Sequence, residues 1–407
     1  MAATDTLISV DEARTQLMKA ARVLPDTETT PVDDALRRIL AESPVSAVQV
    51  PPADNSAVDG YALRAADAEA GALPVSQRVP AGQAPQPLAA GTAARIFTGA
   101  AIPDGADTVM MQENTEPEND DRVRLLQTPA AGQNIRPAGQ DIDTGATLIN
   151  AGTRLDPWHL GLLASAGLPQ ITTFRPLRVA IISSGDELVP PGQPLAPGQI
   201  HNSNQPMLTA LVRAAGWEPV PFHTMADTLE ATQATLAQAA EQADAIITTG
   251  GVSVGEEDHI RDAIRALGEL DLWRMAIKPG KPLAFGRIGE TPVLGLPGNP
   301  AAVLVTFLVL GRPFLRACQG EDGELMPRPC SMPLGFPVER PQSRREFQRV
   351  RCRSIEGRTW LESAPTQSSG VLSSACWSHG LAIIPEHQTL DVGDPVSFLP
   401  FAELLHG

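Results

Sequence analysis

Short apolar runs alternate with helical patterns across residues 177–318, where the periodicity of the chain is most regular. The apolar runs are LRVAIIS, EPVPFHT, ADAIITT and PVLGL, and the helical patterns cover about 205–215, 228–242, 257–267 and 300–312. Strands that alternate with helices in this way are typical of a parallel α/β sheet. The pattern therefore predicts a central parallel α/β domain.

The segment before this domain predicts helices on either side of a β-rich insert. Ser9 and Glu12 have the spacing of a capping box, and apolar residues follow them at helical intervals. Helices are expected over about 10–22, 32–41 and 157–168. Between these helices, short β-type runs are separated by Pro, Gly, Asn and Asp, which favour turns. The β segment is therefore predicted to interrupt a discontinuous helical domain.

Patterns typical of β-strands return after residue 327, where REFQRVRCRSI, TWLES and VGDPVSFLP are candidate strands. The chain is long enough for several folding units of about 100 to 200 residues each. We therefore predict a multidomain protein with α/β and β parts. Its domains are a helical discontinuous domain (1–45 and 146–176), a β-rich inserted domain (46–145), the α/β domain (177–326) and a C-terminal β domain (327–407).

The net charge narrows the set of partners. The 407 residues carry a formal charge of −16, which repels nucleic acid and anionic membrane surfaces over most of the protein. The cysteines show no C-x-x-C pairing and no zinc-type spacing, which predicts reduced thiols. The first residues lack a signal-peptide profile, and the apolar run at 301–311 is too short to span a bilayer. We expect a cytoplasmic protein with no nucleic-acid or membrane partner, in which a bound anion meets a local positive site.

Three loops follow predicted strands of the α/β domain, at the sheet edge where ligands bind in such folds. They cover residues 184–187, 250–258 and 297–300. Glycines and exposed backbone N–H groups at helix N-termini favour phosphate or another oxyanion. The candidate binding residues are Ser184, Gly185, Gly250, Gly251, Ser253, Gly255, Pro297 and Asn299.

Carboxylates in two of these loops predict a divalent cation. They would repel an anion, whereas carboxylate oxygens suit Mg²⁺, which bridges to phosphates. The candidates are Asp186, Glu187, Glu257 and Asp258. An acidic residue at a helix N-terminus also complements the helix dipole, so each of them alone has a purely structural interpretation. Two acidic glycine loops on one sheet edge favour the metal site.

Two lysines lie close together in the stretch MAIKPGKPLAFG. Pro279 and Pro282 fix the backbone and Gly280 permits unusual backbone angles, so the stretch is predicted to be a shaped turn. Lys278 and Lys281 are therefore held in place, which favours an anion-binding site. An ordinary solvated surface turn is the alternative.

Arginines and hydroxyl groups in the C-terminal domain are further candidates. Seven arginines lie between residues 340 and 358, against two glutamates. Guanidinium suits planar capture of phosphate-like oxyanions, although alternating arginines on a strand also form a solvated face. The stretch TQSSGVLSS (366–374) offers hydroxyl donors in a glycine-containing turn, with a plain polar loop as the alternative.

Several stretches of the chain occur together in the order of one protein family. They are DNSAVDGYALR, RIFTGAAIPDGADTVMMQE, GQNIRPAGQDI, SSGDEL, TTGGVSVGEEDH, MAIKPGKPLAFG, GLPGNPAAV and REFQR. Together they resemble the molybdopterin molybdenumtransferase family, the MoeA-like molybdenum insertases related to the gephyrin E domain. The resemblance extends from about residue 9 to the end of the chain.

The resemblance implies an enzyme of molybdenum cofactor biosynthesis. Such enzymes insert molybdate into adenylylated molybdopterin and release the cofactor with AMP, using a divalent cation, usually Mg²⁺. They are homodimers, and the molybdopterin adenylyltransferase is a candidate docking partner. The implied fold has a MogA-like α/β domain and a β-barrel-like C-terminal module.

The resemblance also implies roles for individual residues. At the nucleotide and metal crevice it puts Asp186, Glu187, Asp227 and Asp258, with the glycine loop 250–255 on phosphate. Around molybdate and the pterin phosphate it puts Lys278, Lys281, Arg344, and Ser368 or Ser369. Facing the partner's active site across the dimer it puts Asp59, Thr98 and Asp141. Catalytic roles are implied for Asp59, Asp186, Asp227, Asp258, Lys278 and Lys281.

Two alternative functions share parts of this pattern. The same α/β core occurs in nucleotide pyrophosphohydrolases and amidases, and a gephyrin-like scaffold would bind a partner without catalysis. The DNSAVDGY segment and the arginine-rich module disfavour the hydrolase, and the intact lysine turn disfavours the scaffold. The chain has RPAGQD at 136–141 where relatives often carry RRRGED, so two cationic contacts and one carboxylate are missing around Asp141.

Overall fold

The computed structural model describes residues 7–118, 121–222, 228–251 and 259–406. Its α-helices are α1 (Val10–Ala20), α2 (Pro157–Ser165), α3 (Asn204–Ala214), α4 (Leu229–Gln242), α5 (His259–Leu267), α6 (Pro300–Thr306), α7 (Arg312–Cys318), α8 (Ser373–Trp377) and α9 (Phe401–His406). A π-helical segment, Phe307–Gly311, joins α6 to α7. Residues 300–318 therefore run as one continuous helix.

The strands fall into an N-terminal, a central and a C-terminal group. The first comprises β1 (Thr27–Pro31), β2 (Asn55–Ser56), β3 (Gly60–Leu63), β4 (Ala72–Val79), β5 (Ala93–Ile96), β6 (Thr108–Met111), β7 (Thr115–Glu118), β8 (Arg122–Leu125) and β9 (Ile135–Arg136). The second comprises β10 (Gln170–Phe174), β11 (Arg178–Ser183), β12 (Leu188–Val189), β13 (Ile200–His201), β14 (Glu218–Pro221), β15 (Ala245–Thr249), β16 (Glu269–Arg274), β17 (Ile277–Lys278), β18 (Pro282–Ile288) and β19 (Thr291–Leu296). The third comprises β20 (Cys330–Pro333), β21 (Arg345–Ile355), β22 (Arg358–Ser363), β23 (Gly380–Ile384) and β24 (Pro395–Pro400).

The capping box predicted for the first helix is confirmed. Glu12 N donates to Ser9 Oγ at 3.1 Å, and Ser9 N donates to the Glu12 carboxylate at 2.8 Å. These two bonds satisfy backbone donors that the first turn leaves open. The buried face of α1, which includes Ala13 and Leu17, packs into the central core.

The prediction of a second helix over 32–41 is wrong beyond the first turn. A single 3₁₀ turn forms at Val32–Asp34. Arg37 then adopts a φ of 65°, and Leu40 forms a β-bridge with Thr173. Pairing with a distant part of the chain therefore overrides the helical pattern, because intrinsic helix propensity is weak compared with tertiary contacts.

The chain on either side of the β-rich insert meets in a two-stranded sheet. β1 pairs antiparallel with β10, so that Thr27 lies opposite Phe174. Between these strands, the insert forms a six-stranded sheet of order β6–β3–β5–β4–β8–β7. The predicted third helix is confirmed as α2, which precedes β10.

The central sheet is mixed, whereas the sequence pattern predicted a purely parallel one. Its order is β14–β11–β15–β19–β18–β16, and β18 is antiparallel to both of its neighbours. The two-residue turn at Gly289 and Glu290 joins β18 to β19, and a turn that short joins only antiparallel strands. The strands β14, β11, β15 and β19 are parallel, so their carboxyl ends share one edge of the sheet.

One helix in the described part of the chain, Pro300–Cys318, is long and apolar enough to cross a membrane. Within the fold, 94% of the apolar stretch of this helix is buried. Phe307 and Phe314 are fully buried in the same core cluster as Leu294 of β19 and Leu381 of β23. The apolar length of this helix is therefore explained by its place in the protein core.

The C-terminal strands predicted from the sequence are confirmed as β21, β22 and β24. Their sheet has the order β17–β21–β23–β24–β20, and β22 pairs antiparallel with the C-terminal half of β21. An isolated bridge from Leu334 to Leu361 connects the end of β20 with β22. β17 belongs to the lysine turn, and its parallel pairing with β21 attaches that turn to the C-terminal sheet.

Candidate active site

The carboxyl ends of β11, β15 and β19 lie side by side at one edge of the central sheet. Ser183 pairs with Thr249, and Thr249 pairs with Leu296. The loops that follow begin with Ser184, Gly250 and Pro297. Because these strands end in register, the three loops predicted to carry the chemistry leave the sheet at the same level.

Gly250 lies where the first two loops approach each other. Its φ is +81°, and a Cβ at this position would lie 2.7 Å from the carbonyl oxygen of Ser184. Real Cβ atoms do not approach a backbone oxygen so closely, and a positive φ strains other residues. A Cβ on Gly298 of the third loop would lie 3.8 Å from Gly250 Cα, so the three loops meet around Gly250.

Two adjoining clefts open beside these loops. The first cleft encloses about 480 Å³ and the second about 430 Å³. The first is lined by Ser184, Glu187, Leu188, Ile200, His201, Asn202, Ser203, Asn204, Thr249, Gly250, Gly298, Asn299, Pro300 and Gly370. The second is lined by Gly250, Gly251, Gly280, Lys281, Pro282, Pro297, Gly298, Asn299, Ala302, Arg344 and Ser369. They share Gly250, Gly298 and Asn299, so a ligand can extend from one into the other.

Two cations and a hydroxyl group converge on the second cleft from separate segments. Lys281 comes from the turn before β18, Arg344 precedes β21, and Ser369 lies in the segment before α8. The Arg344 guanidinium approaches the carbonyl oxygen of Ile277, with 3.5 Å between Nη1 and O, which keeps it beside the lysine turn. This arrangement favours an oxyanion, because guanidinium, ammonium and hydroxyl groups all donate hydrogen bonds to one.

Lys278, predicted to bind the same oxyanion, does not line either cleft. Its ammonium Nζ lies 2.7 Å from Glu346 Oε1, and the Gln348 amide donates to Glu346 Oε2 at 2.8 Å. The side chain of Glu346 is 7% exposed and that of Lys278 is 37% exposed. Lys278 therefore acts first as the counter-ion of a buried carboxylate that joins β17 to β21.

Replacing Lys278 by glutamine is expected to destabilise this junction by about 2 kcal/mol, between the values typical of exposed and buried ion pairs. The variant leaves the buried Glu346 carboxylate without its ammonium partner. Urea denaturation measures the effect as a lower midpoint. Lys281→Gln is the matched control, because Lys281 is exposed on the same turn and has no ion-pair partner among the described residues. Equal midpoints for the two variants would contradict this role of Lys278.

The loop after β19 and the segment that contains Ser369 are joined by direct hydrogen bonds. Asn299 Nδ2 donates to Ser369 Oγ at 3.0 Å, and Ala301 N donates to the Ser369 carbonyl at 3.0 Å. Gly370, the next residue, lines the first cleft. Ser368 lines neither cleft, so of the two serines suggested by the sequence it is Ser369 that faces the site.

Glu187 brings a carboxylate to the first cleft, and Asp186 is exposed beside it. Their oxygens are donors that Mg²⁺ prefers. Residues 7–118, 121–222, 228–251 and 259–406 contain no group of three or more His, Cys, Asp or Glu side chains that could hold a metal. The predicted ligand Asp258 and the neighbouring Glu257 lie outside the described residues, as do Asp227, Ser253 and Gly255. The described residues therefore supply two carboxylates at this edge of the sheet, Asp186 and Glu187, and no complete set of metal ligands.

Comparison with known proteins accounts for most of the chain. Residues 8–167 match the MoeA N-terminal region (domains I and II), residues 180–317 a probable molybdopterin binding domain, and residues 331–401 the MoeA C-terminal region (domain IV). The chain is 34% identical to the molybdopterin molybdenumtransferase of Haemophilus influenzae, over 98% of this chain and 100% of that protein. It belongs to the molybdopterin molybdenumtransferase family.

Further relatives of this family agree with the assignment. Molybdopterin molybdenumtransferase 2 of Mycobacterium tuberculosis is 36% identical over 91% of this chain and 93% of its own. The crystal structure of the molybdopterin biosynthesis MoeA protein from Pyrococcus horikoshii OT3 superposes with a TM-score of 0.82 at 29% identity, covering 97% of this chain and 99% of that one. The likeness therefore includes the N-terminal, central and C-terminal parts of the molybdenumtransferase fold.

Three residues that the family resemblance assigned to the partner's site lie apart from the clefts. Asp59, Thr98 and Asp141 belong to the β-rich part, which contributes no described residue to either cleft. The Asp59 carboxylate accepts hydrogen bonds from Thr98 N and Thr98 Oγ1, both at 2.8 Å. These bonds lower the pKa of Asp59, so this half-buried carboxylate is ionised at neutral pH.

Some residues that line the clefts were not singled out from the sequence. Asn204, at the start of α3, is buried, and its Nδ2 donates a hydrogen bond to the Gly298 carbonyl oxygen at 2.7 Å. Asn202 and Ile200 approach the first cleft from the chain around β13. The only sequence signal was the polar stretch HNSN before a helical pattern, which is typical of an ordinary helix start.

Proposed function

We propose that this protein inserts molybdate into adenylylated molybdopterin and releases molybdenum cofactor and AMP. Its family makes it a molybdopterin molybdenumtransferase of molybdenum cofactor biosynthesis. The observation that carries the proposal is the convergence of Lys281, Arg344 and Ser369 on a cleft that continues into a glycine-lined one. One cleft suits an oxyanion, and the other has room for the elongated pterin nucleotide.

Charge distribution supports this use of the second cleft. The protein has a net charge of −16, so a dianion such as molybdate is repelled over most of the surface. Lys281 and Arg344 form a local positive site, in which one ammonium and one guanidinium group offset that repulsion. The Arg344 guanidinium also donates hydrogen bonds to two oxygen atoms of one tetrahedral anion at once, a geometry that a second ammonium group lacks.

The reaction brings two anionic substrates together, so positioning dominates the mechanism. The backbone around Gly250 and Gly298 binds the phosphate region, and Asn299, which lines both clefts, orients the ligand where they join. Lys281 and Arg344 hold molybdate against the pterin and stabilise negative charge that develops as AMP leaves. Ser369 donates a hydrogen bond that fixes the orientation of the oxyanion.

Magnesium is the proposed metal cofactor. Asp186 and Glu187 would hold it at the end of β11, where their carboxylates supply oxygen ligands. The ion would supply positive charge to the phosphate oxygens of the nucleotide. The residues of the glycine loops retain their own role, which is to bind the phosphate through backbone N–H groups.

The proposal includes a division of the chain and a homodimer. The pairing of β1 with β10 supports one helical domain made of 1–45 and 146–176, with 46–145 inserted into it.

We propose that Asp59, Thr98 and Asp141 of each insert face the clefts of the partner subunit. The half-buried, ionised carboxylate of Asp59 is suited to such a contact. An adenylyltransferase that supplies the nucleotide substrate is a further proposed partner, and the cytoplasm the proposed location.

A mixture of Asp59→Ala and Lys281→Ala proteins tests the shared site. Each homodimer is expected to be nearly inactive, and subunit exchange is expected to restore about a quarter of wild-type activity, because half of the dimers are then mixed and each mixed dimer has one intact site. Activity is measured by AMP release after exchange. No recovery, despite mixed dimers seen by native mass spectrometry, would contradict a site built across the dimer.

The reaction itself is tested with purified protein, adenylylated molybdopterin and Mg²⁺, with and without molybdate. We expect AMP release that depends on molybdate, together with activation of a molybdenum-free acceptor enzyme. AMP release that is indifferent to molybdate would identify a nucleotide pyrophosphohydrolase, and no AMP release would identify a non-catalytic scaffold. Either of these results would overturn the proposal.

A further inference from the structure

A small cavity lined by arginines lies at the edge of the central sheet opposite the two clefts. It encloses about 20 Å³. Pro176 and Trp217 in its wall come just before β11 and β14, so the cavity lies at the amino ends of these strands, whereas the clefts lie at the carboxyl ends. Among the lining residues that the structure describes, Glu321 is the one carboxylate, and the five arginines are Arg37, Arg38, Arg154, Arg312 and Arg316.

These arginines come from three separate parts of the chain. Arg37 and Arg38 lie in the segment between β1 and β2, and backbone hydrogen bonds with Leu155 hold this segment beside Arg154, which precedes α2. The other two arginines belong to α7, where they lie one helical turn apart. The cavity is therefore a junction at which two segments of the N-terminal part meet a helix of the central part.

The carboxylates near the cavity pair with two of the arginines. Arg316 Nε donates to Glu321 Oε2 at 2.7 Å, and Arg316 Nη2 donates to the other oxygen of the same carboxylate. Arg38 forms an ion pair with Glu28, which does not line the cavity. Both oxygens of Glu321 are thus bound to one guanidinium, and positive charge exceeds negative charge among the described lining residues.

The excess charge acts on groups that are largely removed from water. Arg312 is 2% exposed and Arg316 is 7% exposed. Burial, together with the guanidinium groups of Arg316 and Arg154, lowers the pKa of Arg312 to about 9, against the attraction of Glu321. Burial also lowers the pKa of Arg154. Guanidinium groups that repel one another in a poorly solvated space form a site of positive potential, which a bound anion would relieve.

We propose that this cavity binds one small inorganic anion of the size of chloride and that the anion joins the N-terminal segments to α7. The volume of about 20 Å³ exceeds the roughly 10 to 15 Å³ that one water molecule needs and is too small for a nucleotide or another organic anion. Guanidinium groups donate several N–H bonds in fixed directions, so arginines from three segments can share one acceptor. The site is separate from the two clefts and does not depend on the proposed function.

Thermal unfolding at constant ionic strength tests the proposal, with chloride exchanged for gluconate, which is too large for the cavity. We expect the melting temperature to rise by about 3 °C as chloride rises from about 1 to about 100 mM, because an ion that binds only the folded state stabilises it by mass action. Arg312→Met and Arg154→Gln are each expected to lose this rise. A melting temperature that does not depend on chloride would overturn the proposal.

Two control variants should keep the full rise. Arg328→Gln removes an arginine whose side chain is 83% exposed, away from the cavity. Lys281→Gln removes a cation of the second cleft, so it separates binding in the cavity from binding in that cleft. A rise that persists in both cavity variants, or that disappears in Lys281→Gln, would contradict an anion site among these arginines.

Diffraction from crystals of the wild-type protein grown in bromide locates the ion without any substitution. Bromide replaces chloride and scatters anomalously. We expect an anomalous peak in the cavity within hydrogen-bond distance of the guanidinium groups of Arg312 and Arg154, and no peak there in Arg154→Gln crystals. Bromide peaks that occur only outside the cavity would overturn the proposal and identify the cavity as a water site.

Discussion

Replacing Lys281 by glutamine is expected to lower kcat/KM for molybdate insertion about 100-fold, as removal of one fixed donor to a developing anion does in other enzymes. The ammonium group lines the second cleft with Arg344 and is exposed to the ligand rather than used inside the fold. Its loss leaves a single cation in the cleft to offset the charge of molybdate. The measurement is steady-state AMP release at varied molybdate concentration.

The urea midpoint of this variant is expected to equal that of the wild type, because the side chain is exposed. Lys19→Gln is the control for activity, since it makes the same substitution at an exposed position in the last turn of α1. It should leave kcat/KM unchanged. Wild-type insertion by Lys281→Gln would remove this lysine from the site and leave Arg344 as the only described cation in the second cleft.

Replacing Gly250 by alanine is the second substitution with a large expected effect. The added methyl group would lie 2.7 Å from the Ser184 carbonyl oxygen, and the φ of +81° is unfavourable for alanine. The first two loops must therefore move apart at the point where both clefts meet. A displacement of about 1 Å at a binding site costs about 100-fold in rate, and we expect a fall in kcat/KM of that size.

Gly289→Ala separates strain from displacement. Gly289 has a φ of +59° and no atom within 4 Å of an added Cβ, and it lies in the turn between β18 and β19. The two alanine variants are expected to lose similar stability from the backbone, while only Gly250→Ala loses insertion activity. Equal activity of the two variants would show that close approach at Gly250 is irrelevant to the site.

The position of the three loops was predictable because the signals are local. An apolar run followed by glycine and a helical pattern identifies the carboxyl end of a parallel strand, and Gly250 and Pro297 stand directly after such runs. The capping box at Ser9 is similarly contained within a few residues. Motif order added the family and with it the expected chemistry, which composition and spacing did not supply.

The features that sequence reasoning missed depend on residues far apart in the chain. The ion pair of Lys278 with Glu346 had no local signal, because Glu346 lies 68 residues away. The helix predicted over 32–41 gives way after its first turn to a bridge between Leu40 and Thr173, again a distant contact. Patterns of periodicity carry no information on such pairs, since they follow from which elements pack together.

The central claim is that one pair of adjoining clefts holds the oxyanion beside the pterin nucleotide. Anomalous diffraction from crystals of the protein with molybdate locates the metal atom directly. The account predicts an anomalous peak in the second cleft, in contact with Lys281, Arg344 and Ser369, that is lost in Lys281→Gln crystals. A peak elsewhere in the molecule, or no peak in the cleft at saturating molybdate, would contradict it.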